Sequence, residues 1–302
     1  MNPHPHANPH AVAVAVTYTR TADFVSLTKP RLNLLVIATA AAGYYLGSRT
    51  PFDFAGFVNM TVGTALVAGG SAAFNQIAER HVDALMERTR WRPLAAGRLS
   101  PREAYWFAAV LSLVGLGWLA LTTNWLATTV AFVTLTTYVA IYTPLKPRTS
   151  FATVVGAIPG ALPPMIGWAA ATNTLSREAW LLFFLVFLRQ MPHFLAIAWL
   201  CRDDYGRAGF PMLPVVEPDG RSTAQQVAAY ASALVPVSLT PSIIGLAGPT
   251  YFVIALLLGL GFLYVSLRFA MNRTRKDARI LFLASITYLP LVLIVLVLNR
   301  LA

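Results

Sequence analysis

The sequence predicts an all-α membrane protein built from nine transmembrane helices. Two observations carry the prediction. Of 302 residues, 57% are hydrophobic and only 12% charged, with a mean hydropathy of +0.61, whereas a soluble domain carries about 25% charged residues. Apolar runs fall at 32–48, 57–78, 104–122, 125–143, 152–171, 179–200, 227–247, 250–270 and 280–299, each near the ~20 residues that a bilayer core requires. A spanning chain must satisfy its backbone internally, which helices do and open sheets do not.

Basic residues orient the chain. With loops assigned alternately to the two sides, one side receives Lys29 and Arg31, the run from Arg80 to Arg102, Lys146 and Arg148, then Arg202, Arg207 and Arg221, and finally the cluster Arg268 to Arg279. The other side holds Arg49, Arg177 and Arg300. By the positive-inside rule the amino terminus is cytoplasmic and the carboxy terminus lies outside. This sidedness, together with attraction to anionic lipid, accounts for most of the net charge of +11 without any nucleic-acid partner. The one cysteine, Cys201, excludes an intramolecular disulfide.

Residues 1–20 read as a disordered tail, in which His4, His6 and His10 form a proline-interrupted run without an acidic partner. No basic region precedes its short apolar stretch, so it does not resemble a secretory signal, nor is it arginine-rich like a transit peptide. A bacterial inner membrane is therefore the expected location, and residues 21–302 form the intramembrane domain. Pro30 opens the first span at a position where the missing N–H is of no consequence.

The second span ends in Asn75, Glu79 and Asp83. Their spacing of four places them on one face of a helix, where carboxylates are costly unless solvated, paired or bound to metal. Arg88, Arg90, Arg92, Arg98 and Arg102 follow, dense enough in planar donors to hold phosphate oxygens. Ser100-Pro101-Arg102-Glu103 is a capping box that opens the third span. The fifth span carries Gly156, Pro159, Gly160, Pro163, Pro164 and Gly167, breakers that suit a cavity wall. The sixth carries Arg189 and His193 within its apolar run, a functional signal inside a membrane. It leaves the bilayer as Arg202-Asp203-Asp204-Tyr205, a second acidic mouth four helices after the first and on the same side. Carboxylates facing a diphosphate commonly share Mg²⁺ with it. Spans seven to nine read as scaffold.

These residues resemble the UbiA-type intramembrane prenyltransferases, whose first motif is an Asn-Asp-x-x-Asp-x-x-x-Asp box; here Gln76 and Glu79 replace two aspartates of that box. Within that superfamily the haem O synthase branch is the nearest match. The resemblance rests on Lys29-Pro30-Arg31, on the run from Asp83 to Thr89 followed by Arg92-Pro93, and on Tyr142-Thr143 with Lys146, Arg148 and Thr149. It also rests on Gly156 to Trp168, Pro192-His193-Phe194, and Asp203-Asp204-Tyr205 through to Pro214. Cys201 and Tyr205 stand where the superfamily usually spaces its second-motif aspartates, a change shared with that branch, and Arg189 replaces a more usual aromatic residue.

The resemblance implies a ring-like bundle that transfers farnesyl from farnesyl diphosphate to a vinyl group of haem B, followed by water addition. It implies Mg²⁺ held by Asn75, Glu79 and Asp83, with a second ion on Asp203 or Asp204. Lys29, Arg31, Arg88, Arg92, Lys146, Arg148 and Arg202 are the implied diphosphate contacts, and His193 the contact for haem or for the incoming water. A haem A synthase is the implied downstream partner. The rival acceptors are a quinone precursor or chlorophyllide, and the rival class is a transporter for an anionic metabolite, which would also use broken helices and intramembrane charge.

Overall fold

The computed structural model describes residues 19–48 and 50–301. Of the expected tail, only Thr19 and Arg20 fall among the described residues; His4, His6, His10 and Arg49 lie outside them. Thr19 caps a short helix, α1 (Arg20–Leu27), by accepting a hydrogen bond from the Ala22 amide.

The long helices follow in chain order. Pro30 starts α2 (Pro30–Gly47), and Asp53 caps α3 (Phe54–Asp83) by accepting from the Gly56 amide at 2.9 Å. The expected capping box opens α4 (Pro101–Thr122): Ser100 and Glu103 each bond the other's backbone N–H. Asn124 caps α5 (Trp125–Thr136) while its amide donates to Ala169 O at 2.8 Å, tying it to a later helix. A π-helical turn, Thr137–Tyr142, then runs into α6 (Thr143–Leu145). The proline-rich span is α7 (Ala152–Ala161) and α8 (Pro163–Thr172), parted at Leu162 where Pro163 and Pro164 cannot supply N–H donors. There follow α9 (Arg177–Leu200), the short α10 (Arg202–Arg207) and α11 (Leu213–Val216), then α12 (Arg221–Ile243), α13 (Pro249–Asn272) and α14 (Arg275–Leu298).

Each of the nine predicted segments thus falls on helix over most of its length, the seventh losing 244–247 to a turn. Among the described residues, seven stretches are long and apolar enough to cross a membrane: α3, α4, α5 through α6, α7 through α8, α9, α13 and α14. The other two, α2 and α12, are diluted by polar residues such as Arg31, Asn33, Gln225 and Gln226. The chain is accordingly an all-helical, multi-pass membrane protein.

Helices in lipid gain little from the hydrophobic effect and associate through close packing. A Cβ on Gly43 would lie 2.0 Å from Pro164 O, and one on Gly167 would lie 1.8 Å from Ala40 O. So α2 and α8 meet backbone to backbone. The largest buried cluster gathers Leu182, Val186, Phe262, Phe269, Leu281 and Tyr288 from α9, α13 and α14. At the end away from the arginine loop, Arg300 donates to the Tyr45 and Ser48 carbonyls and Gly248 N donates to Asn299 O at 3.0 Å. These bonds join the last helix to the first long one and close the bundle.

Candidate functional site

A cavity of about 300 Å³ opens at the end of the bundle where α3 stops and α2 starts. Asn75, Glu79 and Asp83, one turn apart on α3, all line it. All three are nearly inaccessible, at 2%, 6% and 1% exposure, so each must find a partner inside the protein. Each finds a cation. Lys29 Nζ donates to Asn75 Oδ1 at 2.8 Å, Lys146 Nζ to Glu79 Oε1 at 2.9 Å, and Arg92 to both Asp83 oxygens at 2.7 and 2.8 Å. Asn75 also donates to Thr143 Oγ1 at 3.3 Å.

The cations come from three directions. Lys29 sits just before α2, at a positive φ of 47°. Burial first, and then the positive charge of Arg92, lower its ammonium from 10.5 to about 7. Lys146 follows α6 and lies 4.7 Å from the centroid of Phe210. Arg92 belongs to the loop after α3, which Thr89 pins by donating to Asp83 O at 2.9 Å. From the same loop Arg88 reaches the cavity and donates to Tyr205 Oη at 2.9 Å. Arg98 forks onto Asp23 at 2.9–3.1 Å and so fastens α1 over the loop.

A second cavity, about 400 Å³, lies on the outer side of these residues and is lined by Asp23, Gln76, Trp91 and Arg98 among others. Lys29, Arg88 and Arg92 line both cavities. They form a cationic wall between the inner chamber and the outer one.

The apolar end of the inner cavity is lined by Phe194, Ile197 and Met212, with His193 among them. His193 Nδ1 lies 2.7 Å from Ser285 Oγ, and its ring stacks on Phe282 with centroids 5.1 Å apart and planes 18° from parallel. Arg189, one turn earlier, donates to Ser285 O at 3.0 Å. Thus Arg189, for which the sequence offered no partner, is braced by a carbonyl rather than by an acid.

The structure divides the expected site residues into two groups. Lys29, Asn75, Glu79, Asp83, Arg88, Arg92, Lys146 and His193 meet in one cavity. Arg31, Arg148, Arg202, Asp203 and Asp204 do not line it. Arg31 and Arg148 are exposed, and Arg202 lies over the Trp199 ring at 5.2 Å. Asp203 faces Arg202 and Arg275 at 3.8 and 3.6 Å, and Asp204 pairs with Arg207. The residue of that stretch that reaches the cavity is Tyr205, buried against Met86, Phe210 and Met212. The physical reason is register: α9 stops at Leu200, and α10 begins afresh and turns its tyrosine inward.

Sequence reasoning also passed over Tyr138 and took Tyr142 only as part of the family resemblance; both line the cavity from the π-helical turn. Their spacing of four was a signal, although an aromatic pair at that spacing more often marks packing against a neighbouring helix. Gly156 makes room for Tyr142: a Cβ there would lie 2.5 Å from its ring.

The donors present suit a hard divalent cation. Mg²⁺ prefers oxygen ligands, and takes one or two carboxylates while completing its shell with water and phosphate. Asn75, Glu79 and Asp83 offer an amide oxygen and two carboxylates, and the cations now resting on those oxygens mark them as acceptors of positive charge. Among the described residues no group of three or more His, Cys, Asp or Glu is gathered closely enough to hold a metal by itself. A metal here would therefore complete its shell with water or a bound anion.

Residues 36–289 match the UbiA prenyltransferase family. The chain is 46% identical over 287 residues to a protoheme IX farnesyltransferase of Solibacter usitatus, covering 92% of this chain and 98% of that one. Among solved structures it is similar to digeranylgeranylglyceryl phosphate synthase, with a TM-score of 0.78, 16% identity and coverage of 92% and 98% of the two chains. It is also similar to a UbiA homologue from Archaeoglobus fulgidus bound to GPP and Mg²⁺, with a TM-score of 0.66, 16% identity and coverage of 91% and 99%. At such identities the two structures speak for the fold.

Proposed function

The chain belongs to the UbiA prenyltransferase family, and from that premise we infer how its cavity carries out one reaction. The protein transfers the farnesyl group of farnesyl diphosphate to a vinyl group of haem B, giving haem O. The observation that carries this assignment to the site is that one cavity combines two chemistries. Acceptors and cations line its polar end, and His193 and Phe194 line its apolar end.

Breaking an allylic carbon–oxygen bond requires the departing diphosphate to be stabilised, which is the work of preorganised positive charge. Lys29, Arg88, Arg92 and Lys146 supply it here, fixed in place before substrate arrives. Asn75, Glu79 and Asp83 are the residues that would hold Mg²⁺, as a UbiA homologue does with GPP. Magnesium, when bound, adds Lewis-acid stabilisation of the leaving oxygens. Asp203 and Asp204 remain the candidates for a second ion; from their present positions they act at the rim. Arg31, Arg148 and Arg202 contribute there as longer-range charge that steers the anion inwards. The farnesyl chain lies among the apolar and aromatic side chains, whose ring faces stabilise developing positive charge. Water captures the cation left on the former vinyl carbon and gives up a proton, leaving a hydroxyl group there.

In the membrane, α2 and α12 also cross, making nine spans in a ring. The basic loops and the site lie at the cytoplasmic face, the amino terminus is cytoplasmic and the carboxy terminus outside, in a bacterial inner membrane. The residues on either side of the bundle support this sidedness; reporter fusions at 98, 148, 175 and 248 test it, with the last two expected outside. A haem A synthase is the fitting consumer of the product.

The decisive experiment incubates purified protein with haem B, farnesyl diphosphate and Mg²⁺ and weighs the haem by mass spectrometry. A product heavier by one farnesyl and one hydroxyl group is expected. Absence of Mg²⁺-dependent product, with prenylation of a quinone precursor instead, would overturn the haem assignment.

A further inference from the structure

We propose that His193 Nε2 binds the iron of the haem acceptor as an axial ligand, and that Ser285 is the positioning residue that fixes the ring for this role. The proposal rests on haem B being the acceptor, and the hydrogen bonds around His193 carry it.

Ser285 Oγ lies 2.6 Å from Phe282 O and 2.7 Å from His193 Nδ1. A carbonyl oxygen accepts and has no hydrogen to give, so the single hydroxyl hydrogen of Ser285 is committed to Phe282. The serine oxygen can then only accept from the imidazole. Nδ1 must carry the ring hydrogen, and in the neutral ring Nε2 is left as a bare lone pair. Among the described residues Nε2 has no hydrogen-bond partner, and His193 lines the cavity.

Two further contacts hold the ring still. Phe282 stacks on one of its faces, and Arg189 grips the backbone carbonyl of Ser285. Three neighbouring positions are thus arranged around one imidazole, with its second nitrogen unspent. A histidine present only for packing would have no need of a fixed tautomer with a free lone pair. A metal-ligating histidine does: the remote N–H is anchored to an oxygen, which sets the tautomer and aims the other nitrogen. Haem iron takes such a nitrogen readily.

The placement also serves the reaction. The diphosphate end of the cavity is formed by α2, α3 and the arginine loop, whereas His193 reaches in from α9, backed by α14. Tethering the iron to α9 holds the macrocycle on the side of the chamber opposite the leaving group. One coordinate bond would thereby present an edge vinyl to the farnesyl carbon, the type of orientation that converts two bound reactants into a reacting pair.

The test is spectroscopic, and its binding measurements need neither farnesyl diphosphate nor Mg²⁺. Haem B is added to the purified full-length protein and its optical, resonance Raman and paramagnetic signatures are recorded. Wild type is expected to show a histidine-ligated iron. His193→Gly should lose that signature and regain it when free imidazole is added. Ser285→Ala should keep the ligand but weaken haem binding by about 10–100-fold, as is typical for loss of an outer partner, and shift the iron–histidine stretching band. Ser285→Thr should restore both. An iron spectrum unchanged in His193→Gly would overturn the proposal, even with turnover lost, and would make His193 the acceptor of the water proton instead. Should His193→Gly fail to fold, His193→Tyr serves, since a tyrosine ligand has its own charge-transfer band. Haem O formation by a wild type without a histidine signature defeats this inference alone; no haem bound and no haem O formed defeats the haem assignment as well.

Discussion

At the scale of single residues, the site resembles a row of latches. Each oxygen that would meet Mg²⁺ is held by a cation from another element: Lys29 on Asn75, Lys146 on Glu79, Arg92 on Asp83. Metal alone would have to displace the three basic side chains held on those oxygens. Metal arriving with diphosphate gives those charges a new partner in the same event. Thermal unfolding is therefore expected to shift little with Mg²⁺ or inorganic diphosphate singly, and by clearly more than the sum with both; strictly additive shifts would contradict the exchange. Glu79→Gln should lower turnover by about 10²–10³-fold or more, the scale of a lost electrostatic stabiliser, while leaving a folded protein by thermal unfolding in detergent. A wild-type rate in that variant would remove Glu79 from the site. Lys146→Gln should cost far more turnover than Arg148→Gln, because Lys146 enters the cavity and Arg148 is exposed. The first acidic face was legible because a spacing of four survives along one unbroken helix. The second was not, because the break at Cys201 resets the register, and no pattern in Arg202-Asp203-Asp204-Tyr205 announces which side chain turns inward.

At the scale of elements, caps were the readable signals: the Ser100–Glu103 box stands where the sequence placed it, whereas Pro163 and Pro164 were legible as breakers but not as the point where the fifth span parts into α7 and α8. The π-helical turn was hidden, because one extra residue per turn leaves hydropathy untouched. Such turns often occur at functional positions, and this one carries Tyr138 and Tyr142 to the cavity. The α2–α8 contact depends on two missing side chains. Gly167→Val would press its Cβ into the Ala40 carbonyl, and a loss of folded yield is expected. Gly117→Val, with no atom within 4 Å of the new Cβ, is the control and should purify normally. Equal yields would show that the two helices can part without cost.

At the scale of the whole molecule, apolar runs and their basic ends predicted a helical membrane protein, and family resemblance supplied the ring. What no sequence pattern conveys is volume. The inner cavity, about 300 Å³, is at the small end for a single drug-sized ligand and cannot hold a fifteen-carbon chain and a tetrapyrrole together. Helices must part during loading, so a disulfide engineered between α2 and α14 is expected to suppress turnover until reduced; full activity while oxidised would place the opening elsewhere. The wall shared by the two cavities adds a last consequence. Lys29, Arg88 and Arg92 face both chambers, so a departing diphosphate can be handed outward among the same three cations. The farnesylated haem carries no diphosphate for those cations to hold, and its added apolar chain favours the bilayer over water. The two products then enter different phases, water and bilayer, and the chance of their meeting again in one cavity is small.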